Sequence, residues 1–121
     1  MEKAIIIQNT IQFVRAQLAN AEGGHDWFHV ERVYKNSLLI SKTEPVDEFI
    51  VSLGALLHDI ADSKFHNGDE TVGPKIAREF LESQNVDEAV LKHIILIIKH
   101  ISFKGGNQVQ VFTSPELQVV Q

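Results

Sequence analysis

Five stretches of this chain repeat apolar residues at the three- and four-residue spacing of an amphipathic helix, and polar or glycine-containing segments separate them. The pattern predicts helices over residues 2–20, 26–41 and 47–59, a fourth that begins near Pro74, and a fifth from Asp87 to Ile101. Residues 107–114 alternate like a strand, but a lone strand has no partner, so we predict an extended loop or small hairpin there. The predicted fold class is all-α: a bundle of about five helices plus a short C-terminal segment.

Local signals mark where these helices begin and end. Asp26 and Asp87 are suited to cap the second and fifth helices, because a short carboxylate accepts hydrogen bonds from the first free N–H groups of a helix. Pro45 ends the second helix, and Pro74 suits the first turn of the fourth, where its missing N–H costs nothing. Residues 60–71 are too polar and aperiodic to continue the third helix, so we predict a loop rich in functional groups.

Composition narrows the classes of function. A length of 121 residues fits one domain, residues 1–121, and 44% hydrophobic with 22% charged residues indicates a packed core. The net charge of -5 argues against strong nucleic-acid binding, although a small phosphate substrate remains compatible with it. Because the chain has no cysteine, imidazole and carboxylate groups must hold any metal ion.

The two ends of the chain carry separate expectations. We find neither a secretory signal nor a membrane-spanning stretch, so we expect a cytoplasmic protein without membrane contact. Near the C-terminus, Ser114 and Pro115 have the residue types of a helix start. The apolar residues that follow have no evident cover: Leu117, Val119 and Val120. We therefore expect the natural protein to continue past Gln121 with further helices, or this segment to join two copies in a homodimer.

Three residues form the most informative cluster. His29 lies on the second predicted helix, and His58 and Asp59 lie where the third helix meets the polar loop. Adjacent helical residues point about 100° apart, so both can reach one ion beside the helix end, with His29 arriving from a packed neighbour. Imidazole and carboxylate ligands suit Mn, Fe, Co, Ni, Zn or Mg.

In order along the chain, the segments GHDWFHVERV, LLHDIADSKFHNGDE and HISFKG resemble the HD superfamily of metal-dependent phosphohydrolases. The likeness covers about Gly24 to Lys104. Within the superfamily, it is nearest to short bacterial members that split nucleoside triphosphates into monophosphate and pyrophosphate. It implies a metal-dependent phosphohydrolase with His29, His58 and Asp59 as ligands of a divalent ion, manganese first, and a small nucleotide as substrate.

The resemblance also suggests roles for five further residues. Asp62 matches the position where related nucleotidases carry an acid that orients or deprotonates the attacking water. We assign Lys64 to a phosphate contact, because a fixed cation stabilises the charge that spreads over the nonbridging oxygens. Lys104 is a second candidate for this contact, and Arg32 and His66 are further ones.

One element of the superfamily pattern has no equivalent in the chain. The distal aspartate is expected on the helix after the extended loop, and the only acid that late is Glu116, which we expect to interact with the dipole of its own short helix. Without that ligand, metal affinity and turnover should be reduced. The alternative function is therefore a catalytically impaired HD-type module that binds a nucleotide or a protein without turnover.

Other patterns have simpler interpretations. His25 and Asp26 also form a His-Asp pair, but they precede a helix and are more simply structural. His93 and His100 are seven residues apart, hence on one face of the fifth helix, where they line a site wall or are ordinary packed or surface histidines. Trp27 is most simply a core anchor. The lysines assigned to phosphate binding can equally be solvated surface lysines.

Overall fold

The computed structural model describes residues 2–19, 27–58, 60, 72–102 and 115–120. Within these ranges the chain forms six helices: α1 (Lys3–Ala19), α2 (Trp27–Ser41), α3 (Glu48–Leu57), α4 (Val72–Ser83), α5 (Glu88–Ser102) and α6 (Pro115–Val120). Five longer helices and a short terminal one confirm the predicted all-α fold. None of the helices in the described ranges is long and apolar enough to cross a membrane.

Helix α3 lies at the centre of the bundle. Every residue from Phe49 to Leu57 is buried, and α1, α2, α5 and α6 all pack against this helix. A helix that is apolar on all sides has no solvent face, so it must be surrounded. Its last turn therefore holds the residue that follows, His58, at a fixed place at one end of the bundle.

Caps confirm two of the predicted helix starts. Asp47 caps α3, since its Oδ1 accepts a hydrogen bond of 2.9 Å from the N–H of Phe49. Asp87 caps α5 in the same way, with 3.1 Å between its Oδ2 and the N–H of Ala89. Asp26 and Ser114, predicted to cap α2 and α6, lie outside the described residues, as do the predicted extended segment 107–114 and all of the polar loop except Ile60.

Gly54 allows α3 to approach α5 and α6 closely. A Cβ atom at this position would lie 3.3 Å from Cγ2 of Ile97 and 3.6 Å from Cγ2 of Val120. The first distance is tighter than most side-chain contacts, so a larger residue would push Ile97 away. The same contact fixes the register between α3 and α5.

The terminal helix α6 packs on its own chain. Val119 and Val120 are buried, and α6 contacts both α2 and α3. The expectation that both valines lack cover was wrong, because their partners come from parts of the chain that are distant in sequence. These two valines therefore give no argument for the predicted homodimer. The side chain of Leu117 lies outside the described residues.

Helix α1 is held at the edge of the bundle by aromatic contacts. Phe13 stacks on Phe80 of α4 with 4.2 Å between ring centroids. Trp27, at the start of α2, packs half-buried against the core, as predicted, and the guanidinium of Arg15 lies 5.4 Å from the centroid of its ring. The contacts of Trp27 fix the start of α2, two residues before His29.

Candidate metal centre

His58 occupies the C-cap of α3, where the backbone itself orients the ring. Its Nδ1 lies 2.6 Å from the carbonyl oxygen of Ala55. That carbonyl belongs to the last turn of the helix, whose acceptors have no N–H further along the helix to bind them. The imidazole supplies a donor to one of them and is fixed in direction by doing so.

This hydrogen bond also decides which nitrogen of His58 carries the proton. A backbone carbonyl only accepts, so Nδ1 must be the N–H nitrogen of the neutral ring, and Nε2 carries the lone pair. Histidines that bind metal ions usually donate from the other ring nitrogen to a carbonyl or carboxylate, which fixes this tautomer. His58 therefore has the tautomer of a metal ligand.

His29, on α2, lies beside His58. Its ring centroid lies 5.9 Å from that of His58, and the two rings are inclined by 58°. Two imidazoles bound to one ion at right or tetrahedral angles through nitrogen bonds of about 2.1 Å have centroids roughly 4.6–5.3 Å apart, so a shared ion would require the rings to approach by about half an ångström. The side chain of His29 is exposed and that of His58 half-buried, so the pair faces solvent at the end of the bundle.

Of the three predicted ligands, the structure brings together the two histidines. Asp59 lies outside the described residues, and within the described ranges no group of three or more His, Cys, Asp or Glu side chains is placed to hold a metal ion. Among the other predicted site residues, Arg32 is exposed one turn beyond His29 on α2. The remaining four lie outside the described residues and stay predictions: Asp62, Lys64, His66 and Lys104.

Glu116 has a structural role that the sequence analysis missed. Its Oε2 accepts a hydrogen bond of 2.9 Å from the N–H of Asp47, and its Oε1 lies 3.7 Å from Nε2 of His93. Glu116 lies in the first turn of its own helix, where the interaction with the helix dipole was expected, and its buried carboxylate is in addition directed at the start of α3 and at α5. A glutamate at the first turn of a short apolar helix gives no sequence signal of partners so far away along the chain.

Comparison with known families assigns the chain to one of them. A model of the HD domain matches residues 27–116, and the chain belongs to the HD domain family. The resemblance inferred from the sequence motifs is therefore confirmed. The matched region contains α2 to α5, the two clustered histidines and the first two residues of α6.

Individual relatives agree with this assignment. The uncharacterised Bacillus subtilis protein YpgQ is 33% identical over 94 residues, which make up 76% of this chain and 44% of that protein. The tRNA (cytidine(56)-2'-O)-methyltransferase of Picrophilus torridus is 36% identical over 64 residues, or 53% of this chain and 18% of that enzyme. The chain thus spans less than half the length of these curated relatives.

Two solved structures have the same fold. An HD-superfamily hydrolase from Bacillus thuringiensis superposes with a TM-score of 0.80 at 34% identity, over 98% of this chain and 55% of that one. The Lin1889 protein of Listeria innocua gives a TM-score of 0.74 at 27% identity, over 100% of this chain and 54% of that one. The helical arrangement described above is thus shared with about half the length of each of these longer chains.

Proposed function

We propose that this chain is a metal-dependent phosphohydrolase domain that acts on a nucleotide, with nucleoside triphosphate split to monophosphate and pyrophosphate as the reaction. The observation that carries the proposal is the pair of histidines from α2 and α3, one of which is oriented by a hydrogen bond from its Nδ1 to the backbone. Membership of the HD domain family and the similarity to an HD-superfamily hydrolase support it.

In this proposal His29, His58 and Asp59 hold a divalent ion, with manganese as the first candidate and Mg, Co, Fe, Ni or Zn as others. When bound, such an ion supplies Lewis-acid activation of water and of the phosphoryl group. The ligand chemistry fits, because imidazole and carboxylate suit these ions and the chain contains no thiol.

The residues around the ion have separate tasks. Asp62 orients the attacking water and accepts its proton while the water oxygen bonds to the α-phosphorus. The bond from that phosphorus to the bridging oxygen breaks, and pyrophosphate leaves with the electron pair. Lys64 and Lys104 contact the phosphate oxygens, with Arg32 and His66 as further contacts, and thereby stabilise the spreading negative charge.

The test is the release of pyrophosphate from a panel of nucleoside triphosphates with and without manganese. We expect manganese-dependent turnover that falls at least about a hundredfold in His58→Ala and in Asp62→Asn, which removes the general base. His93→Ala is the matched control, since it removes a histidine that lies against Glu116 and is not among the predicted ligands, and it should keep its turnover.

Metal binding gives a second readout. Manganese should raise the thermal midpoint of the wild-type protein and of His93→Ala, but not of His58→Ala, because only a native site that binds the ion is stabilised by it. Full turnover in His58→Ala would show that the site assignment is wrong. Nucleotide binding without product over hours would instead identify the alternative, a binding module without turnover.

A further inference from the structure

A third histidine lies at the end of the bundle and has not been given a role. His100 is in the last turn of α5 and is half-buried. Its Nδ1 is completely buried and has no hydrogen-bond partner, which makes it the one such side-chain atom in the described part of the chain. A buried polar atom without a partner is uncommon in folded proteins and calls for an explanation.

The register of α3 and α5 shows at which end of the bundle His100 lies. At one level, Glu116 binds the N–H of Asp47 and lies beside His93. Further along both helices, the Gly54 position packs against Ile97. Residue numbers increase together on the two helices between these levels, so α3 and α5 run in the same direction.

One helical turn further along, His58 on α3 and His100 on α5 lie at about the same level of the bundle. His58 lies four residues beyond Gly54 on α3, and His100 lies three residues beyond Ile97 on α5. At 1.5 Å per residue, the two advances are roughly 6 and 4.5 Å in the same sense along the two helices. His100 also shares a face of α5 with His93, which contacts α6, and α6 packs against α2 and α3. His100 therefore lies on the face of α5 from which His93 meets α6, at the end of the bundle where α3 carries His58.

The unpartnered Nδ1 decides what His100 can offer a ligand. A neutral imidazole carries its proton on one nitrogen, and a buried N–H without an acceptor is less tolerable than an unfilled lone pair. The proton therefore belongs on Nε2. His58 has the opposite tautomer, because its Nδ1 donates to the carbonyl of Ala55. The His58 tautomer is the one in which metal-binding histidines occur, whereas the N–H of His100 suits an anionic oxygen.

We propose that His100 is a substrate-binding residue of this site, whose Nε2–H donates a hydrogen bond to a phosphoryl oxygen of the bound nucleotide or of the pyrophosphate product. The inference rests on the proposed function, since it needs a phosphate ligand at the histidine pair. It assigns His100 to anion binding and excludes it from the metal ligands, because a ligand that coordinates through Nε2 needs an acceptor for its Nδ1–H.

The experiment measures binding of inorganic pyrophosphate by calorimetry in the presence of manganese, and manganese binding alone. His100→Leu removes the donor while filling similar space, and should fold well because no hydrogen bond at Nδ1 is lost. We expect it to weaken pyrophosphate binding about tenfold or more, the usual effect of losing one hydrogen bond to a charged group. His100→Gln, which keeps a donor, should recover most of the affinity, and His93→Leu should match the wild type.

Manganese binding separates the possible outcomes. We expect the manganese affinity of His100→Leu to equal that of the wild type, whereas His58→Ala loses it. Pyrophosphate affinity within twofold of wild type in His100→Leu would overturn the inference and leave the proposed function standing. A loss of manganese affinity in His100→Leu would also overturn it, because His100 would then be a metal ligand. If the wild-type protein binds neither manganese nor pyrophosphate, both the inference and the proposed function fail.

A measurement on the unmodified protein does not depend on any variant. Nitrogen-15 spectra of the imidazole side chains distinguish the two neutral tautomers. We expect the Nε2–H form for His100 and the Nδ1–H form for His58. An Nδ1–H form of His100 would contradict the argument from burial on which the proposed hydrogen bond depends.

Discussion

Replacement of Glu116 by alanine should destabilise the whole bundle, although the residue lies five positions from the end of the chain. The carboxylate is buried, with 8% of the residue exposed, and accepts a 2.9 Å hydrogen bond from the N–H of Asp47. It also lies 3.7 Å from Nε2 of His93. One side chain therefore joins α6 to the start of α3 and to α5.

The size of the effect follows from what the substitution leaves behind. Losing a hydrogen bond to a charged acceptor costs about 1.5–3 kcal/mol, and the partial exposure of Asp47 favours the lower half of that range because water can replace the acceptor. We therefore expect the free energy of unfolding to fall by about 2 kcal/mol, which lowers the thermal midpoint by roughly 8 °C for a domain of this size. Glu116→Gln keeps an oxygen acceptor and should lose less than half as much.

The assay is urea denaturation followed by circular dichroism, with Glu44→Ala as the control. Glu44 is an exposed glutamate in the connection before α3, and its removal should change stability by no more than about 0.5 kcal/mol. A double-mutant cycle of Glu116→Ala with His93→Ala then isolates the contact with the imidazole, for which we expect about 0.5–1 kcal/mol. If Glu116→Ala is as stable as Glu44→Ala, the carboxylate does not hold α6 in place and this reasoning is refuted.

Three further predictions concern stability and ionisation. Leu53→Ala should cost about 2–5 kcal/mol in a denaturation experiment, because Leu53 is fully buried, whereas the exposed Leu39→Ala should cost under about 0.5 kcal/mol; equal losses would contradict the assigned core. Asp87→Ala removes the cap of α5 and should lower the free energy of unfolding by about 1 kcal/mol. An unchanged free energy of unfolding would contradict this prediction and mean that water replaces the cap. Burial raises the pKa of Tyr34 above its usual 10.0, against the opposing effect of its hydrogen bond to Ser52. Because the folded pKa lies above the unfolded one, the contribution of Tyr34 to stability is complete below pH 10 and is lost as the pH rises through the folded value; absorbance titration of this single tyrosine at or below pH 10 would contradict the assignment.

Local sequence signals were sufficient for the helices themselves. Asp47 and Asp87 act as caps within two residues of their own positions, so their roles can be predicted without knowing the rest of the fold. Periodicity likewise predicts α3 as a helix, although it does not show which other helices pack against it. The end of α4 shows a local rule at work as well, because Asn85 has a φ of 58°, a conformation that asparagine adopts more readily than most residues.

Contacts between distant parts of the chain could not be predicted in the same way. Glu116 meets Asp47 across 69 positions, and Val120 packs beside Gly54, so neither partner can be found by examining the terminal segment alone. The pairing of His29 with His58 was predicted, since the sequence motif and the helices predicted from apolar spacing both placed the two residues on neighbouring helices. The distance of 5.9 Å between their rings, and the acceptor of His58, required coordinates.

The distinction between His58 and His100 shows why residue type alone does not define a site. Both are histidines near the C-terminal end of a helix, and both lie at the same end of the bundle. The carbonyl of Ala55 fixes the proton of His58 on Nδ1, whereas the dry and unpartnered Nδ1 of His100 leaves the proton to Nε2. The two helix ends therefore carry imidazoles of opposite tautomer. A site for a phosphate ester and a divalent cation can use both, because a cation and an anionic oxygen bind there side by side.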